Sequence, residues 1–151
     1  LMISGCTQPV SQSSTTDDSA VQASETRNMT EKLAPCPASP NCVCSEYSDD
    51  SHAVAAFAFD GDAARAWAAL RAAVESLPRT KVVSSGADYL KAEARSAVFR
   101  FVDDVEFRLD AETGLIHVRS ASRVGYSDLG ANRKRVEALR ERFNQQLALQ
   151  S

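Results

Sequence analysis

Two runs of alternating residues, 98–109 and 115–121, separated by Asp110-Ala-Glu-Thr-Gly114, constrain this chain more than any other feature. A strand shows its side chains to opposite faces with period two, so a hairpin that buries one face has one workable register. With Asp110 opposite Leu115, Leu109 faces Ile116, Phe107 faces Val118 and Val105 faces Ser120. Val105, Phe107, Leu109, Ile116 and Val118 then lie on one side, which must be the core. The other side pairs Glu106 with Arg119 and Arg108 with His117. A slip of one residue would scatter the apolar set over both faces. An interruption near Asp103-Asp104 suggests a bulge in the longer run.

The remaining elements organise around this hairpin. Residues 52–59 read as a strand, and Asp60 or Asp62 can cap the helix that follows. That helix carries Ala63, Ala66, Trp67, Leu70, Ala73, Val74 and Leu77 at helical spacing, and Pro78 ends it. Residues 80–85 and 89–95 read as strands joined by the turn 85–88. A last helix runs from a cap at Asn132 to Ala148, with Val136, Leu139, Phe143 and Leu147 as its apolar stripe. Residues 33–45, with three prolines, read as an ordered loop. The order strand, helix, four strands, helix predicts an α+β fold: two layers, a mainly antiparallel sheet of about five strands, and both helices on one face. At 151 residues, 44% hydrophobic and 25% charged, the chain is suited to one folded unit, placed at 33–151.

The charge balance argues against nucleic acid as a partner, since 17 basic against 20 acidic residues leave a net charge of −3. The beginning of the chain argues for a membrane. Ile3-Ser4-Gly5-Cys6 is similar to a bacterial lipobox, in which small residues admit the peptidase and the cysteine takes the lipid. Residues 1–6 are therefore read as a signal remnant and lipobox, with Cys6 lipidated. Residues 7–32 are rich in Ser, Thr, Gln and Asp and read as a flexible tether with a reach of about 30 Å. Thr7 after the cysteine resembles the outer-membrane address of enteric lipoproteins. The expected location is the bacterial cell envelope, lipid-anchored, at the periplasmic face of the outer membrane.

Three strings are unusual in composition: Pro35-Cys-Pro-Ala-Ser-Pro-Asn-Cys-Val43, Phe99-Arg-Phe-Val-Asp-Asp-Val-Glu-Phe107, and the long segment from Arg119 to Glu137. In this order they resemble the family known as domain of unknown function 1499, over residues 33–143. The resemblance implies a relationship to envelope lipoproteins and related plastid proteins, and it implies no established activity. That family usually has Ser at the place of Cys44, so the resemblance assigns Cys44 no role.

The candidate sites each admit a structural reading. Cys36, Cys42 and Cys44 are spaced C-x5-C-x-C; in an oxidising compartment a Cys36–Cys42 disulfide is favoured over a zinc site completed by His52, whose usual C-x2-4-C spacing is missing. Cys44 is left as a buried small hydrophobe. Asp103 and Asp104 are weak catalytic candidates as an acid–base pair, and the competing reading makes them ion-pair partners of nearby arginines. The segment 119–135 offers Arg119, Ser122, Arg123, Tyr126, Asn132 and Arg133 as a site for a carboxylate or phosphate beside a helix start. Equally, these arginines can pair with Asp103, Asp104 and Asp128 and hold a long loop. One polar cluster of Asp103, Asp104, Glu106, Arg119 and Arg123 against the last helix is expected, with Arg123 or Arg133 left without a partner. No nucleophile elbow, P-loop or dinucleotide motif is present, and no metal or cofactor is expected. The reading favours a non-catalytic domain binding an anionic small molecule, lipid headgroup or cell-wall fragment. The alternatives are an assembly partner of another envelope protein and a carboxylate-based hydrolase or isomerase.

Overall fold

A computed structural model of the chain describes residues 31–47 and 49–150. The lipobox and Cys6, and all of the tether except Glu31 and Lys32, lie outside the described residues. The order of elements is β1 (Cys42–Cys44), β2 (Phe57–Ala58), α1 (Ala63–Ser76), β3 (Thr80–Ser85), β4 (Tyr89–Arg95), β5 (Val102–Asp110), β6 (Leu115–Ser122) and α2 (Ala131–Leu149). The sheet is antiparallel, in the order β1-β6-β5-β4-β3, and β2 also pairs with β6. The β5–β6 hairpin has the register derived from its apolar pattern, with Leu109 opposite Ile116, Phe107 opposite Val118 and Glu106 opposite Arg119. Gly114 closes it at φ +69°, where a Cβ would stand 2.9 Å from the carbonyl oxygen of Phe59, so a side chain is excluded.

Both helices pack on the face carrying Leu90, Ala92, Val105, Phe107, Ile116 and Val118. α1 begins where the Asp62 carboxylate accepts the N–H of Ala64, and it buries Ala66, Ala69, Leu70, Ala73 and Val74. Its run of alanines lets the helix lie close against α2 and the sheet. From α2 come Val136, Leu139 and Phe143, all fully buried. Phe57 links the layers, with its ring 6.0 Å from Phe107 and 5.5 Å from Phe143, centre to centre. Burying a side chain of this size contributes about 1.5–3 kcal/mol.

Five local expectations are corrected. The loop read over 33–45 contains a sixth strand, β1. Its three residues follow the last of the prolines, Pro40, so their N–H groups are free to pair with the edge of β6. The strand read over 52–59 shrinks to Phe57–Ala58. The carbonyls of Ala53, Ala55 and Ala56 are instead held by the guanidinium groups of Arg133 and Arg140 on α2. The long run 98–109 begins pairing only at Val102, because Arg100 at φ +55° turns the chain back. No bulge interrupts β5 at Asp103-Asp104; the irregular register is in β3, between Val82 and Ser84. Finally, α2 is preceded by Gly130 in the left-handed region, and Asn132 sits inside its first turn.

The Cys36–Cys42 disulfide is present, with the Cα atoms 5.6 Å apart, and Cys44 is free and buried. Closing so short a loop contributes about 2 kcal/mol in the chain-entropy picture. By register Cys42, Cys44 and Ala121 share the sheet face that the helices leave open. The leading segment returns along that face: Leu33 is buried, its N–H donates to Glu46, and its carbonyl accepts from the Tyr47 hydroxyl. Among the described residues no helix is long and apolar enough to cross a membrane.

Candidate functional site

Strand alternation separates the residues that stand together in the sequence. Asp103 points to the helix side, with Val105 and Phe107, and Asp104 points to the open side. The two carboxylates therefore do not converge on a shared proton. The expected single polar cluster is divided by the sheet into two networks.

On the helix side, Asp103 is 4% exposed and accepts from Arg135 at 2.6 Å. Arg135 also donates to the side-chain oxygens of Asn132 at 2.7 Å and Ser120 at 3.2 Å. Asn132 is fully buried. Its amide nitrogen reaches the Asn41 carbonyl, the Ser122 hydroxyl and the Asp128 carboxylate. One side chain thus joins the proline-rich loop, the end of β6 and the start of α2. Burial pushes the Asp128 carboxyl up, but the Asn132 amides bound to it prevail and hold it below the usual range.

On the open side, Glu106 accepts from the Tyr89 hydroxyl and from Arg119 at 3.3 Å. Arg119 Nε is buried with no hydrogen-bond partner among the described residues. Arg123 forks onto Asp104 at 2.9 and 2.8 Å and reaches Glu93 at 2.6 Å. That fork holds the Asp104 carboxyl below its ordinary value, with Lys91 adding to the effect against partial burial. Arg108 pairs with Glu46, and His117 meets the Ser45 hydroxyl at 3.3 Å. Burial pushes the Glu46 carboxyl up, and the bonds from Arg108 and Leu33 bring it below the usual range.

The residues singled out in the sequence are thus largely occupied. Ser122 and Asn132 hold the loop, Arg119 and Arg123 hold carboxylates, and Arg133 donates to the carbonyls of Ala53 and Ser51. Neither Arg123 nor Arg133 is the unpartnered arginine that was expected. Tyr126 stands out in solvent at 73% exposure, and Arg123 and Arg133 are also exposed although both are bonded.

The cations left over lie elsewhere. An open groove of about 560 Å³ is lined by Arg79, Lys81, Arg95 and Arg100, with one carboxylate, Glu93, and with Thr80, Val83, Ser96 and Ala97 between them. No described carboxylate pairs with any of these four cations. Glu93, which stands opposite Lys81 in the β3–β4 register, is taken by Arg123. Backbone geometry sets the basic residues around the groove. Arg79 follows Pro78 at φ +56°, its carbonyl accepts the N–H of Arg95, and its Nε donates to the Arg95 carbonyl at 3.3 Å. Arg100 occupies the left-handed position of the β4–β5 turn. Four exposed cations around one concavity, against the single carboxylate of Glu93, leave a net positive potential there. The arrangement can hold an anion by forked, charge-assisted bonds.

Sequence reasoning passed over these four because nothing in their spacing marks them. They come together only when β3 pairs with β4 and the 96–101 turn folds back. Phe99-Arg-Phe101 continues the alternation of the strand that follows, so nothing local announces the turn. Among the described residues no group of three or more His, Cys, Asp or Glu side chains is placed to hold a metal ion. A comparison with curated proteins returned no match. A family model does match, over residues 32–143, and the chain belongs to that family, described as "Protein of unknown function (DUF1499)".

Proposed function

We propose that this protein is a membrane-tethered envelope lipoprotein whose folded part binds an anionic ligand without transforming it. The observation that carries the binding role is the groove of Arg79, Lys81, Arg95 and Arg100, four cations with no described carboxylate partner. Charges that the fold covers are normally paired within it, as the arginines of the two networks are, whereas these four are exposed, lack a carboxylate partner and stand together around one concavity. The non-catalytic reading is supported by Asp103 and Asp104, which face opposite sides of the sheet and each hold an arginine. The tether and the lipid anchor rest on Ile3-Ser4-Gly5-Cys6 and the polar stretch after it.

Two measurements test the reading. Titration of the full chain with inorganic phosphate, followed by NMR of the arginine side chains, should perturb Arg79, Arg95 and Arg100 before Arg119 or Arg123. Equal or no response at the groove overturns the binding role. Metabolic labelling with a palmitate analogue should mark the protein in its envelope. Label that persists in a Cys6→Ser variant overturns the anchor.

A further inference from the structure

One end of the sheet gathers four connections: residues 77–79 leading into β3, the turn 96–101, the loop 123–130 into α2, and the loop before β1. Six of the eight large hydrophobic residues exposed among the described residues lie in two of these connections. Val98, Phe99 and Phe101 stand on the turn, and Val124, Tyr126 and Leu129 on the loop. The N–H of Arg123 donates to the Val102 carbonyl, so the loop leaves β6 beside the base of the turn. Phe99 and Phe101 stack on each other, ring centres 5.6 Å apart, while remaining 73% and 52% exposed. The turn is closed by the Ser96 N–H on the Phe101 carbonyl and by the Phe101 N–H on the Ser96 hydroxyl. These rings are therefore held outward by a formed turn.

The cationic groove opens at this same end, and Lys134 lines a second hollow there beside Arg79 and Arg95. Exposed apolar side chains beside a group of Arg and Lys at one end of the sheet suit a bilayer surface, where phosphates lie outside and acyl chains beneath. We propose that this end docks on a membrane containing anionic lipids. The Val98–Phe101 tip enters the headgroup–acyl boundary, and Arg79, Lys81, Arg95 and Arg100 take the lipid phosphates. The inference rests on the anion-binding reading above and adds the source of the anion. A soluble anion would satisfy the cations and leave the six apolar side chains in water. A second copy is a poorer occupant, because a two-fold contact sets the same four cations against themselves. The overall charge of −3 repels an anionic surface, so the local cations also orient the approach. The tether read over 7–32, with its reach of about 30 Å, lets Cys6 and this end meet one bilayer.

The test is vesicle co-sedimentation of the full chain carrying Cys6→Ser, which removes the anchor from the measurement. Phosphatidylcholine vesicles should bind it weakly, and vesicles mixed with phosphatidylglycerol should bind it in a salt-sensitive way. Phe99→Ser with Phe101→Ser should lower that binding about tenfold, while phosphate still perturbs the groove arginines, which also shows the variant folded. Arg79→Ala with Arg95→Ala should lower vesicle binding by about 25-fold, taking about fivefold for each surface cation, and should weaken phosphate binding as well. Wild-type protein that ignores the mixed vesicles, or that binds them equally after the Phe substitutions, overturns docking. If phosphate still binds in that case, the anion site survives alone. If phosphate fails to perturb the groove, both readings fall. A soluble envelope protein that binds this end in place of vesicles also overturns docking.

Discussion

The two sets of basic residues in this molecule differ in what surrounds them. Arg108, Arg119, Arg123 and Arg135 lie on or beside the central strands, and each meets a carboxylate within 3.3 Å. Arg79, Lys81, Arg95 and Arg100 lie at the sheet's end, and none meets a described carboxylate. The first set is needed because β5 carries Asp103, Asp104 and Glu106 on partly or fully covered faces, where an unpaired charge is costly. No burial of that kind compels the second set. The contrast teaches that arginine count is a poor guide to a binding site, and that the partner list of each arginine is a better one.

Breaking the paired set should have the largest effect. Arg135→Ala strands Asp103, which is 4% exposed, and withdraws a donor from Asn132 and Ser120. Removing one partner of a buried pair costs about 3–5 kcal/mol, so chemical denaturation should register a large loss. A loss under about 1 kcal/mol, the range of exposed pairs, would show that water replaces the lost donor.

The exposed part of the paired set should respond to acid. Arg123 holds the Asp104 carboxyl below its ordinary value of 3.8. A depressed carboxylate adds stability that is present above the unfolded value and lost as pH falls through the folded one. Wild type should therefore lose stability below about pH 4. Asp104→Asn with Arg123→Ala should lose less of it over that window, while costing roughly 1 kcal/mol or less at neutral pH. An unchanged acid slope would assign the acid loss to the other depressed carboxylates, Glu46, Asp49, Asp110 and Asp128.

The unpaired set should barely affect the fold. Arg79→Ala, Arg95→Ala and Arg100→Ala should each change stability by no more than about 0.5 kcal/mol, because no buried partner is orphaned. Should any of them melt as far below wild type as Arg135→Ala does, the comparison fails and that cation belongs to the fold.

The legibility of the molecule follows the same line. The β5–β6 register could be read because period-two alternation, with a short loop ending in Gly114, leaves one register that buries Phe107 against Val118. α1 was readable from its apolar spacing, Asp62 and Pro78. β1 was not, because three residues after a proline-rich loop carry no periodicity, and their pairing depends on β6 being there. The short β2 was over-read because carbonyls that would feed a strand are taken by Arg133 and Arg140, from the far end of the chain. The Cys36–Cys42 bridge was readable because the alternative Cys42–Cys44 bond closes too small a ring.

What the sequence determined by itself was therefore local and periodic. It set the hairpin register, the helices, the bridge and the α+β class, because each depends on neighbours a few residues away. Only the tertiary structure decided which charges are spent. Asp103 and Asp104 are adjacent in the chain, yet the pleat sends them to opposite faces and to arginines on different elements. Arg79, Arg95 and Arg100 are dispersed in the chain, yet strand pairing and one left-handed turn bring them around one groove. Ion pairing depends on distance in space over a few ångströms, and that distance does not exist until the sheet has formed.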